Sequence, residues 1–164
     1  MSQQFTTQKQ KHEAAKRFAA KLDAFLRGRF GYQRELASST FQTVRAKWAK
    51  VQMYLRLQYE HKCDRGFWPQ ATLVIASIEF REMRAGNGRA FLEFLVQQAE
   101  QFGYDTIGVE CTIPQDGIQG FCRHFFNPYA EEVLGQKGYN WIAPVSQIAN
   151  QLAADSEDKI AAVA

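Results

Sequence analysis

Residues 71–109 read ATLVIASIEFREMRAGNGRAFLEFLVQQAEQFGYDTIGV. The run ATLVIASIEF is almost continuously apolar, which predicts a central strand covered on both faces. Phe91, Leu92, Leu95, Val96, Ala99 and Phe102 then recur at helical spacing, and Gly103 is placed to end that helix. TIGVECTI follows directly as a further strand. The turn between the first strand and the helix is Arg84-Ala85-Gly86-Asn87-Gly88-Arg89. Glycines let backbone come close to an anion, the first amides of a helix have no intrahelical acceptor, and the helix dipole favours negative charge. Arg84 and Arg89 are expected to add charge-assisted contacts at the rim.

Two glycines before a helix are also ordinary turn geometry, so the spacing alone does not establish a phosphate site. A dinucleotide fingerprint is incomplete, because Phe91 stands three residues after Gly88 and no acid clearly ends the following strand. A P-loop is excluded, since no Gly-Lys-Ser/Thr follows the turn.

Outward from this unit, Ala15, Phe18, Ala19, Leu22, Phe25 and Leu26 predict an amphipathic helix over residues 9–27, stopped near Gly28. Residues 41–48 fit helix or strand, and the alternation of Val44, Ala46 and Trp48 favours the strand. Val51, Met53, Leu55, Leu57 and Tyr59 alternate with polar neighbours as a strand with one wetter face. Pro114-Gln115-Asp116-Gly117 reads as a turn, residues 118–136 as a helix broken at Asn127-Pro128, and residues 139–142 as a last strand. With 164 residues, 46% of them hydrophobic, the chain suffices for one core. The expectation is a single α/β (α+β) domain over residues 1–152, with one mixed sheet flanked by helices on both faces and a flexible tail at 153–164.

The run ATLVIASIEFREMRAGNGRAFLEFL resembles the GNAT family of N-acetyltransferases, in which a strand rich in Val, Ile and Leu enters a Gln/Arg-x-x-Gly-x-Gly/Ala turn and a helix. Gly86 and Gly88 fall on the glycine positions, whereas Met83 stands where Gln or Arg is usual. The resemblance covers about 40 residues and implies the family's fold, a mixed, mostly antiparallel central sheet. It also implies acetyl-CoA as co-substrate, its pantetheine arm along Ala76, Ser77 and Ile78 and its pyrophosphate on Arg84, Ala85, Gly86, Asn87, Gly88 and Arg89. A neutral amine would attack the thioester, helped by a base, because an alkylamine is protonated near neutral pH. The glutamate base of histone-acetylating members aligns with Thr72, which cannot take a proton there. Glu79, Glu110 and His61 remain as base candidates, although such residues are more often surface or satisfied polar groups. A family tyrosine acid aligns with Leu134 or with Phe121 and Cys122, which leaves Cys122 and Tyr129 as candidates for the acid.

Two function classes follow: an N-acetyltransferase acting on an amine acceptor, small molecule or protein, and a related domain that binds a protein or nucleic-acid partner without catalysis. The charge distribution keeps the second open, because residues 1–65 carry 14 Lys and Arg against 5 acids, a net of +9, in a chain whose total is +3. Such charge is more often the solvated face of a helix, so nucleic acid is the lesser expectation. Phe67 and Trp68 are candidates for walling an acceptor pocket, and a homodimer is compatible with the fold. The three cysteines, Cys63, Cys111 and Cys122, are widely spaced, which points to reduced thiols, to no metal site and to a cytoplasmic protein. No apolar run has bilayer length, so no membrane association is expected.

Overall fold

The computed structural model describes residues 7–59, 68–112, 118–133 and 136–163. In chain order these form α1 (Gln8–Phe30), β1 (Ala37–Thr40), β2 (Thr43–Trp48), β3 (Val51–Gln58), β4 (Thr72–Phe80), α2 (Asn87–Phe102), β5 (Thr106–Thr112), α3 (Ile118–Phe125), β6 (Asn127–Val133), β7 (Gln136–Pro144) and α4 (Val145–Val163). The strands make one seven-stranded sheet in the order β1-β2-β3-β4-β5-β7-β6. Only β4 and β5 run parallel, joined by the crossover helix α2; every other pairing is antiparallel. Among the described residues no helix is long and apolar enough to cross a membrane.

Helix α1 begins in a capping box: Gln10 N–H donates to Thr7 Oγ1 at 3.2 Å while Thr7 N–H donates to Gln10 Oε1 at 3.0 Å. It runs past Gly28, where the sequence reading stops it, to a left-handed Gly31 whose N–H reaches Arg27 O at 2.8 Å. A single glycine in a helix costs only about 1 kcal/mol, and Phe30, packed on Phe80, recovers part of that. Asp23, buried on α1, accepts from the amides of Leu36 and Ala37 at 2.6 and 3.1 Å and so fixes where β1 starts.

The core row Leu57, Leu73, Ile107 and Ala143 crosses four strands in register, each residue at most 1% exposed. Phe18 of α1 meets Phe94 and Phe102 of α2, and Phe25 stacks on Phe94 at 4.8 Å between ring centres. Tyr59 O–H donates to Phe102 O at 3.0 Å, tying the end of β3 to α2. Over β2, β3 and the second half of β4 the opposite face is open, with Arg45, Lys47, Gln52, Ser77 and Glu79 exposed.

Two further expectations need correction. Beyond Pro128 the chain is strand β6 and not helix: Phe126 N–H closes α3 on Cys122 O at 2.8 Å, and the residue before a proline is pushed to extended backbone. As an edge strand, β6 tolerates Pro128. Residues 153–163 are not a flexible tail but continue α4, where Leu152, Asp155 and Ser156 are gripped by Arg89 of α2.

Candidate active site

Strands β4 and β5 pair only from Thr72↔Thr106 to Ile75↔Val109. Just past Ile75 the β3–β4 register slips: Leu55 opposes Ile75 and Tyr54 opposes Ser77, leaving Ala76 as the extra residue of a bulge. A bulge bends its strand, and from Ala76 onward the β5-facing edge of β4 has no strand partner among the described residues. Burial follows the same break. Thr72, Leu73, Val74 and Ile75 are all buried, whereas from Ala76 to Phe80 the strand alternates between half-buried and exposed. Ala76, Ser77 and Ile78 therefore line an open strand edge.

That edge leads into the turn. Gly86, left-handed at φ 74°, is the N-cap of α2 and offers no side-chain cap. The first helical bond runs from Ala90 N–H to Gly86 O at 3.0 Å, so the amides of Asn87, Gly88 and Arg89 precede the ladder. Arg84 holds the left-handed region at φ 59° without being glycine, a local strain that the surrounding turn must sustain.

The turn is braced from α1. Arg29 donates through Nε to Asn87 Oδ1 at 2.7 Å and through Nη2 to Ala85 O at 3.0 Å, while buried Asn87 donates through Nδ2 to Glu82 O at 3.2 Å. Arg29 is absent from the sequence reading, because nothing local links it to a residue 58 positions away. Gly88 faces α3, where a Cβ would lie 3.0 Å from the Phe121 ring.

Arg84 is exposed at the turn, whereas the Arg89 side chain is turned to α4. Its guanidinium bonds Asp155 at 3.0 Å, Leu152 O at 2.6 Å and Ser156 Oγ at 2.8 Å, with Glu93 at 3.1 Å. A side chain in the first turn of a helix leaves the axis sideways, and here α4 lies on that side; the Arg89 amide stays with the turn. Asp155 also accepts from Gln151 at 2.8 Å and meets His124 Nε2 at 2.9 Å. The hydrogen bonds from Gln151 and then His124 hold its carboxyl below the usual carboxylate range.

The four catalytic candidates are scattered unequally. Cys122 is fully buried in the core, and burial pushes its thiol up to about 12. Glu79 is exposed on β4, opposite Gln52 and beyond the bulge. Glu110 directly follows Val109, at the point where β5 leaves β4, and its Oε1 accepts from Arg56 Nη2 of β3 at 2.6 Å. Tyr129 stacks on Trp68, ring centres 5.1 Å apart, and Trp68 lies over Gly108. Arg56, Val74 and Gly108 lie side by side across β3, β4 and β5, and Arg56 bonds Glu110, so Trp68 and Tyr129 stand on the Glu110 side of the sheet. His61, Phe67 and Leu134 lie outside the described residues. No group of three His, Cys, Asp or Glu among the described residues is placed to hold a metal ion.

No family model and no curated protein matches the sequence. Solved structures do align. An uncharacterized protein from Bacillus halodurans shares the fold at TM-score 0.53 and 12% identity, over 70% of this chain and 65% of that one. Nourseothricin acetyltransferase aligns at TM-score 0.43 and 15% identity, over 63% and 64% of the two chains. The GNAT domain of S. lividans PAT aligns at 0.46 and 13%, over 80% and 85%. The chain thus spans slightly less than two thirds of the first two of these proteins. A likeness at 12% identity is one of fold alone, and the weaker acetyltransferase alignments decide nothing about activity.

Proposed function

We propose that the chain is an acyl-CoA-dependent N-acyltransferase that moves an acetyl group from acetyl-CoA to an amine. The observation that carries this reading is the parting of β4 from β5 after Ile75 and Val109, which leads straight into an uncapped helix N-terminus. An extended amide-bearing arm with a diphosphate at its far end needs those two features side by side: free strand edge for the arm, free amides for the phosphates. The resemblance of residues 71–95 to the GNAT turn supports the same reading.

In this proposal the pantetheine arm pairs with Ala76, Ser77 and Ile78, and the diphosphate sits on the amides of residues 84–89 beside Arg84. The acceptor ammonium meets Glu110 and gives it one proton. The freed amine nitrogen then forms the C–N bond to the acetyl carbon, the C–S bond breaks, and sulfur keeps the electron pair. The second proton shed by that nitrogen neutralises the thiolate, leaving amide, CoA thiol and the proton on Glu110. Strand amides at the bulge polarise the thioester carbonyl, and holding both reactants in place supplies much of the acceleration. Cys122, sealed in the core, takes no part.

Calorimetric titration with acetyl-CoA, CoA and NAD tests this. Micromolar affinity for both coenzyme A forms and none for NAD is expected, with Arg84→Glu weakening CoA binding by about tenfold through lost charge-assisted contact. Arg84 is the informative position because it is exposed and already non-glycine, whereas a side chain at Gly88 would strike Phe121. No binding of either coenzyme form refutes the reading. Binding without thiol release in any amine screen would favour a GNAT-like binding domain acting on a protein or nucleic-acid partner.

A further inference from the structure

The ion pair between Arg56 and Glu110 lies just past the last β4–β5 pair, Ile75↔Val109. Arg56 sits on β3 and Glu110 on β5, and β4 lies between them, bonded to both. The contact therefore spans two strand spacings, about 9–10 Å of sheet, across the place where β5 parts from β4. It does so with the two side chains 17% and 10% exposed, which makes desolvation costly. Moreover, Arg56 Nε is closed to solvent and has no acceptor among the described residues. Arg29 and Arg89, by contrast, place their Nε on Asn87 and Glu93. A guanidinium with one edge donor unmet, beside a carboxylate at the mouth of the β4–β5 opening, is half of a recognition site.

We infer that the acceptor is an α-amino acid, whose carboxylate is taken by Arg56 and whose ammonium is taken by Glu110. This rests on the acyltransferase reading and names the substrate class for it. An α-amino acid carries both charges on one carbon. Entering between the two side chains, it replaces one ion pair by two and displaces the groups that close Nε to solvent, so that its carboxylate bridges Nε and Nη2 of the guanidinium in the fork geometry that arginine offers. The unmet Nε donor is then satisfied. A plain amine has to separate Glu110 from Arg56 and leave the guanidinium without compensation, so the pair selects against it. Tyr129, exposed and stacked on buried Trp68 on the same face, borders the space in which the amino acid side chain would lie.

The test is acetyl transfer from acetyl-CoA, followed by thiol release, to matched sets of an α-amino acid, its amide and its decarboxylated amine. The best amino acid is expected to exceed its amide and amine in kcat/KM by about tenfold or more, the usual worth of a charge-assisted contact. In Arg56→Gln that preference falls to near unity while CoA affinity stays unchanged; Arg56→Lys, which keeps the charge and loses the fork, serves if the glutamine variant does not fold. A preference for amines, no preference, or one that survives loss of Arg56 overturns the inference. Calorimetry separates the failures. A chain that binds no CoA sinks the acyltransferase reading, whereas a CoA complex that binds no free amino acid sinks the acceptor assignment alone.

Discussion

Replacing Gly108 by alanine is expected to destabilise the protein, against the usual direction of such a change. Gly108 lies in β5 with a backbone φ outside the left-handed region, so alanine fits the local conformation. In open space that substitution would stabilise by about 0.4–1 kcal/mol by restricting the unfolded chain. Here the added Cβ would lie 2.3 Å from Trp68 Cζ3 and 2.8 Å from both Cε3 and Cη2. Ordinary carbon contact needs roughly 3.5–4 Å, so the ring must retreat by more than about 1 Å. It has little room: Trp68 is 2% exposed and is stacked on Tyr129 at 5.1 Å. Overpacking of this kind costs about 1–3 kcal/mol, which outweighs the entropic gain and leaves about 1–2 kcal/mol of destabilisation. At about 2–4 °C per kcal/mol for a chain of this length, Tm should fall by about 2–8 °C. Thermal unfolding followed by far-ultraviolet circular dichroism reads the shift. A double-mutant cycle with Trp68→Phe should show favourable coupling, since the smaller ring makes room for the methyl group. A rise in Tm for Gly108→Ala would falsify the placement of Trp68 over β5 and, with it, the aromatic border drawn beside Glu110.

Two further outcomes are expected. Gly28→Ala should raise Tm by about 2–4 °C, because Gly28 sits inside α1 with nothing within 4 Å of a new Cβ and alanine gains about 1 kcal/mol in a helix; a lower Tm would mean that α1 ends at Gly28 after all. Asp155, whose folded-state pKa is depressed, contributes stability that is present above its ordinary value near about pH 4 and is lost as pH falls through the lower folded value; the stability gap between wild type and Asp155→Asn, from urea midpoints, should close on acidification, and a gap constant down to about pH 2.5 would remove Asp155 from the α2–α3–α4 brace.

What the sequence could say about this protein depended on whether the deciding contact was local. The βαβ unit was legible because its signals sit within a few residues of each other: the apolar run, Gly86 before the helix, the stripe from Phe91 to Phe102, and left-handed Gly103 after it. Pro128 marked a break in the chain but not what followed, since a proline forbids helix without choosing between loop and edge strand. The composition of residues 153–163 read as a frayed end because their anchor, Arg89, is 66 positions away in the chain. The same limit applies at the site. The turn proposed to hold phosphate is contiguous in sequence, while its brace from Arg29 and the pairing of Arg56 with Glu110 join residues more than 50 apart. One signal for the opening itself was present. Thr72 to Ile75 are buried on both faces and Ala76 to Phe80 alternate, yet all nine residues look equally strand-like by composition. Only Ala76-Ser77, two small residues interrupting a row of Val, Ile and Leu, mark where the strand stops needing cover on both sides. Small residues at that point let the backbone bulge away from β3 and leave the β5-facing edge open, which is the feature on which the proposed chemistry depends.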